Sequence, residues 1–278
     1  MSNRRMCPNC RAFVEASDKV CQYCEAPLGP RSIDVRSPRD IAGGLIPHAR
    51  FTTIMILLVN TALFVATMIV SMQKGKDGAL YDIDGYTLFD FGAKLGRYVL
   101  AGQWWRLVTA GFLHGGLLHI LMNSWVLFDL GAQVEEIYGS ARLLVFYFVA
   151  TIFGFLASTM WNPEALSVGA SAGVFGLIGA MIALGVRSNT SMGSAIRGLY
   201  IRWAIYGLLF GLLPGLRVDN AAHIGGLVAG FAIAFVAQEQ RDPMHPREKV
   251  WKVLAGVSLA ITGFCFLQMF LWMTRPQG

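Results

Sequence analysis

Charge is what this chain has least of. Only 14% of its 278 residues are Asp, Glu, Lys or Arg, where a soluble domain carries roughly a quarter. With 55% hydrophobic residues, a positive mean hydropathy and recurring apolar runs, this scarcity argues for a polytopic membrane protein and against a soluble one. The chain also lacks an early apolar run. Its start is polar and Cys-rich, so no cleavable signal peptide is expected, and the first apolar helix is expected to act as its own insertion signal. No internal repeat is visible. A net charge of +6 would suggest a nucleic-acid partner in a soluble chain; here basic cytoplasmic loops account for it, and no nucleic acid is expected.

Cysteine is sparse, five in all, and four fall within the first 24 residues. Cys7-Pro8-Asn9-Cys10 and Cys21-Gln22-Tyr23-Cys24 are two Cys-x-x-Cys knuckles separated by ten residues. Four thiolates at this spacing suit a tetrahedral structural zinc site. Iron in the same site, two disulfides and a redox dithiol are the alternatives. A segment of residues 1–30 is too small for an apolar core, so bound metal would supply its folding energy. Reduced thiolates imply a cytosolic side. Residues 31–50, with Arg31, Arg36, Arg39, Arg50 and Pro30, Pro38, Pro47, read as a basic linker beside the membrane, a positive-inside anchor. Cys265 lies in an apolar run and reads as packing.

Seven spans are predicted over 51–72, 119–138, 143–161, 171–186, 199–213, 220–238 and 250–273. The first two are separated by a long loop, 73–118. It carries Asp77, Asp82, Asp84 and Asp90, which no motif pairs and which read as solvated charges. It also carries an amphipathic piece over 88–100 and the interfacial-looking Trp104-Trp105-Arg106. The N-terminal module, Arg142, Arg187/Arg197/Arg202 and Arg241/Arg247/Lys249/Lys252 fall on alternate sides of successive spans. All of them therefore share the cytoplasmic face, and with seven spans the C-terminus ends outside.

On that topology the second, fourth and sixth spans all enter from outside. His119, Asn123, Ser171 and His223 sit in their first turns, with Asp219 expected in the outer loop. Intramembrane polar groups are costly, so four of them at one depth need a reason. His119 and Asn123 are four apart and share a helix face. The 16 residues from Ser171 to Val186 make about 24 Å of helix against a bilayer core of about 30 Å, which sets Ser171 several ångströms below the outer surface. Gly173, Gly176 and Gly179, with the Ala222-xxx-Gly226-xxx-Gly230 series, allow close helix approach and would bring His223 toward Ser171. Serine with histidine is the minimum for an activated nucleophile and its base. His119, Asn123 and the Ser171 backbone N–H are candidate oxyanion donors. No membrane carboxylate is placed to orient His223, so the pattern reads as a dyad.

These motifs together resemble the rhomboid intramembrane serine proteases: Trp105-Arg106, His114-xxxx-His119-xxx-Asn123, Gly131-xxx-Glu135-xxx-Gly139, Gly169-Ala170-Ser171-Ala172-Gly173 and Ala222-His223-xx-Gly226-xxx-Gly230, in order across about 51–240. The resemblance implies an all-α polytopic membrane fold with a six-helix core over 51–240. To this core the chain adds a small zinc-ribbon-like module at its N-terminus and, over 241–278, a cytoplasmic loop and a seventh transmembrane helix. It also implies cleavage of transmembrane protein substrates within the lipid bilayer, near its outer side. Ser171 would be nucleophile and His223 base, with oxyanion help from His119 and Asn123. His114 and Gly169 would lie at the site, Glu135 and Arg106 would be structural, and no cofactor would enter catalysis. The expected location is a bacterial inner membrane, N-terminus cytoplasmic. The alternatives are an inactive rhomboid-like protein that escorts membrane clients, and a transporter or channel. Against the latter, the polar groups cluster at one end.

Overall fold

The computed structural model describes residues 4–7, 9–10, 12–15, 18–26, 28, 50–214, 217–237, 239 and 246–275. The linker residues Arg31, Arg36, Arg39, Pro30, Pro38 and Pro47, together with Pro8, Gln238 and Arg241, lie outside them. The chain divides into two compact units, Met1–His48 and Ala49–Gly278. In the first, β1 (Arg4–Met6) pairs antiparallel with β2 (Phe13–Glu15). Cys7, Val14, Cys21 and Leu28 make its small core.

The second unit is helical. It runs α1 (Phe51–Gln73), α2 (Gly85–Asp90), β3 (Lys94–Leu95), α3 (Gly96–Leu100), α4 (Arg106–Thr109), a 3-10 turn (Ala110–Phe112), α5 (Leu117–Tyr138), α6 (Ser140–Trp161), β4 (Leu166–Ser167), α7 (Ser171–Arg187), α8 (Ser191–Phe210), α9 (Asn220–Val236) and α10 (Pro246–Met273). Among the described residues, α1, α5, α6 and α10 are long and apolar enough to cross a membrane. The 17-residue α7 and α9 are apolar but shorter, and α8, with Arg197 and Arg202, falls in neither group. This is a mostly helical polytopic membrane fold.

Helix ends differ from the hydropathy-based expectation where capping decides them. α8, expected as the fifth span, begins at Ser191, eight residues before the apolar run at Leu199, because Thr190 Oγ1 accepts from the Gly193 amide at 3.1 Å and starts the helix earlier. The last begins at Pro246, four residues before Val250; proline's fixed φ and missing N–H suit a first turn. The expected amphipathic piece over 88–100 is broken. α2 ends at Asp90, Gly92 takes φ +92°, and Lys94–Leu95 pair with Leu166–Ser167 before α3 starts. The long loop is thereby tied to the segment that leads into Ser171.

Two charged side chains read as surface features are instead buried. Arg142 is not a loop cation: it lies inside α6 and makes a bidentate pair with Glu248 of α10 at 2.6 and 2.7 Å. Arg106 is fully buried; it donates to Gln103 Oε1 (2.7 Å), Phe89 O (2.7 Å) and Ala93 O (2.9 Å), while Trp105 beside it is also buried and only Trp104 stays exposed. Glu135, at the end of α5, accepts from the amides of Thr52 and Thr53 (2.8 and 3.0 Å) and the hydroxyls of Thr53 and Ser140 (2.9 and 2.7 Å). One carboxylate thus caps the positive end of α1 and binds it to α5 and α6.

α9 lies against α6 and α7 at backbone distance. A Cβ on Gly154 would stand 2.7 Å from both the Ala222 carbonyl oxygen and the Ala172 Cβ. One on Gly226 would overlap the Ala172 carbonyl, and one on Gly230 the Gly176 carbonyl. Small residues at these positions let the two polar-bearing helices meet. The core below is filled by Leu127, Leu130, Phe146, Leu177 and Met181.

Candidate active site and metal centre

Three helix starts converge at one end of the bundle. Ser171 is the first residue of α7 and half-buried. Gly169 before it sits at φ +134°, which only glycine adopts without strain. Its amide donates to the Ala110 carbonyl at 2.9 Å, which fixes the approach to the helix. A Cβ at Gly169 would stand 2.7 Å from His119 Nε2 and 3.5 Å from Ser171 Oγ. Gly169 is therefore the floor between those two polar groups, and the absent side chain is what leaves room for a ligand atom.

His119 lies in the first turn of α5, and its Nδ1 accepts a long hydrogen bond, 3.4 Å, from the Gly115 amide. A neutral imidazole that accepts at Nδ1 carries its proton on Nε2. The donor then points toward the Gly169–Ser171 side. Asn123, one turn on, gives one amide proton to the His119 carbonyl at 3.0 Å and is nearly buried. His114 packs edge-on against His119, ring centroids 5.1 Å apart, and neither of its buried ring nitrogens has a partner among the described residues.

His223, in the first turn of α9, is 6% exposed. Its ring stacks on Phe175 at 4.1 Å and 10°. Phe175 lies one helical turn after Ser171, so the same face of α7 carries the serine and the platform for the histidine. Phe175 was missed in the sequence, where its only signal is the i+4 spacing. Among the described residues no hydrogen bond joins Ser171 to His223, and His223 Nδ1 has no partner. Such bonds are often long before substrate binds. Asp219 is the N-cap of α9 rather than a free loop carboxylate. Oδ1 accepts from the Ala222 amide at 3.0 Å, and Oδ2 accepts from the Ser158 hydroxyl of α6. Both oxygens are engaged in holding the first turn of α9.

In the N-terminal unit the four sulfurs of Cys7, Cys10, Cys21 and Cys24 all lie within 4.8 Å of one another. The Cys7–Cys24 and Cys10–Cys21 separations are 3.7 and 3.6 Å. A disulfide needs about 2.05 Å, so these are free thiols. The edge of a tetrahedron around a metal with bonds of about 2.3 Å is about 3.8 Å, and the two printed edges come close to it. The Ala26 amide pulls the Cys24 thiol down to about 6, and the Cys10 amide lowers that of Cys7. Cys10 is pushed up to about 12: the Ala12 amide lowers it, but burial and then the neighbouring sulfurs together outweigh that help. A dication among them would remove that conflict. The cluster fits a metal ion.

A family model described as Rhomboid domain matches residues 101–240. The chain is similar to Rhomboid protease GluP of Bacillus subtilis, 38% identical over 148 residues, which is 53% of this chain and 29% of that protein. It is similar to RHOMBOID-like protein 5 of Arabidopsis thaliana, 32% identical over 214 residues and 69% of each chain. It is also similar to Rhomboid-like protease 2 of Toxoplasma gondii, 33% identical over 199 residues, 70% of this chain and 68% of that protein. The match thus spans less than a third of the Bacillus protein and about two thirds of the other two.

Proposed function

The chain belongs to the rhomboid family, and from that premise we propose that it is an intramembrane serine endopeptidase acting on membrane-spanning proteins. The observation that carries the reading is the convergence of three helix starts. Ser171 Oγ and His119 Nε2 both flank Gly169, and His223 is stacked on the α7 face that bears the serine. Ser171 Oγ attacks the scissile carbonyl while His223 takes its proton. The tetrahedral oxyanion is held by the Ser171 amide, His119 Nε2–H and the remaining Asn123 amide proton. His223 then gives the proton to the departing amine, and water, activated by the same imidazole, hydrolyses the acyl ester. The serine at a helix start places the cut near one membrane face, the outer one on the orientation set by the basic loops. The substrate helix must unwind there, since its backbone is already hydrogen-bonded in lipid.

The 1–30 module binds zinc through Cys7, Cys10, Cys21 and Cys24 on the cytoplasmic side, with no part in the chemistry. The core over 51–240 is the protease, with 241–278 added to it. The missing Ser171–His223 hydrogen bond favours a second reading, a non-catalytic escort of membrane clients. Fluorophosphonate labelling of the detergent-solubilised chain separates the two. Label mapped by mass spectrometry to Ser171 is expected, and a protein that takes no label is an escort.

A further inference from the structure

The chain holds a second concave site that the proposed chemistry does not use. It lies between the Ala101–Trp105 segment and the last turns of α10, with a volume of about 460 Å³, in the range of small-ligand sites. On the α10 side Phe264, Gln268 and Trp272 form one stripe, continued past the helix end by Arg275. On the loop side Gln103 and Trp104 face them, Trp104 stacking on Phe264 at 6.0 Å and 16°.

The side-chain polar groups of this cleft can all donate. Gln103 Oε1 is engaged by Arg106 Nε at 2.7 Å, so what Gln103 has left to offer is its NH2. Arg275 brings a guanidinium, and among the described residues no carboxylate lines the cleft. Arg106 does not line the cleft; fully buried behind it, its guanidinium lies 4.8 Å from the Trp272 ring and backs that wall. A donor-rich, cationic, aromatic-walled cleft selects an oxyanion on an amphipathic body.

The position says which body. The Arg142–Glu248 pair joins the first turns of α6 and α10, so the two helices run in parallel. The cleft at the end of α10 is therefore near the same membrane face as the end of α6, and so of Ser171 ten residues later. Arg275 stands two residues beyond the last residue of α10, Met273, where a spanning helix meets the headgroups. Leu267 and Leu271 expose hydrocarbon-facing surface beside the stripe. We propose that this cleft binds the phosphate headgroup of an anionic glycerophospholipid, with its glycerol against Phe264 and Trp104 and its phosphate at Arg275 and the Gln103 and Gln268 amides.

The test uses the full chain in a neutral detergent and native mass spectrometry with dioctanoyl phosphatidylglycerol, dioctanoyl phosphatidylcholine and glycerol 3-phosphate. One phosphatidylglycerol should bind per chain, and Arg275→Gln should weaken it about tenfold, the loss of one charge-assisted contact. Gln268→Leu should weaken it less. Arg217→Gln removes an exposed arginine elsewhere and should change nothing. Unchanged binding in Arg275→Gln, or an equal loss in Arg217→Gln, overturns the site. Equal binding of phosphatidylcholine overturns the anionic selectivity. Saturation by glycerol 3-phosphate at the same concentration overturns the lipid in favour of a free phosphate ligand.

Discussion

At the end of the bundle where α5 passes into α6, Glu135 accepts from four donors, Arg142 and Glu248 pair through two bonds, and Arg187 closes α9 on the Phe235 and Ala237 carbonyls at 2.9 and 2.6 Å. At the opposite end, where α5, α7 and α9 begin, both nitrogens of His114 and Nδ1 of His223 are buried without a hydrogen-bond partner among the described residues. Buried polar groups are ordinarily satisfied, and those that are not need a reason. The contrast teaches a division of labour. One end spends its polar groups on holding helices together. The other keeps imidazoles uncommitted around a serine, which costs stability and leaves proton acceptors and donors free for a substrate. Arg142 Nε, without a partner among the described residues, is an exception at the bolted end.

The comparison is broken most severely at Glu135. Glu135→Ala strands two amides and two hydroxyls and should lower unfolding stability by about 3 kcal/mol or more, measured as the thermal midpoint in detergent. Glu135→Gln, whose amide oxygen still accepts, should recover part of it. An equal effect on both would mean that shape rather than hydrogen bonding holds this end. The uncommitted end should behave in reverse. Asn123→Ala, which removes one hydrogen bond to the His119 carbonyl, should cost only about 1 kcal/mol of stability while slowing cleavage of a transmembrane peptide about 10²-fold, the worth of one oxyanion donor. A stability loss as large as that of Glu135→Ala would place Asn123 with the structural group. The smallest effect belongs to the cysteine unit. Chelation should remove close to one equivalent of zinc, read by elemental analysis, and leave the initial cleavage rate unchanged. A rate that falls with the metal would join that unit to the chemistry.

Much of this was legible in residue order. Two knuckles at fixed spacing announce a four-thiol cluster, since four ligands in 18 residues need little help from the rest of the chain. Ser171, His119 and His223 were readable as helix-start residues because hydropathy locates helices and alternation assigns sides. What could not be read depends on approach between distant segments. The partner of Arg142 lies 106 residues away, so the arginine looked like a loop anchor. Phe175 looked like any apolar residue until α9 laid His223 on it. Asp219 and the start of α8 were misplaced for a local reason: Asp219 and Thr190 cap helices, and a hydropathy profile has no signal for a side-chain oxygen that accepts from an amide three residues on.

The central claim is that Ser171 and His223 act as one unit. Its most direct test is the set Ser171→Ala, His223→Ala and the double variant, each measured for cleavage of a transmembrane peptide and for thermal midpoint. Each single variant should lose at least about 10⁴-fold in kcat, and the double variant should be no worse than either, because removing one member already disables the pair. The Ser171→Ala midpoint should stay near the wild type, and His223→Ala, which empties the buried ring site on Phe175, should lower its midpoint. Losses that multiply in the double variant, or full activity without Ser171, would contradict the account.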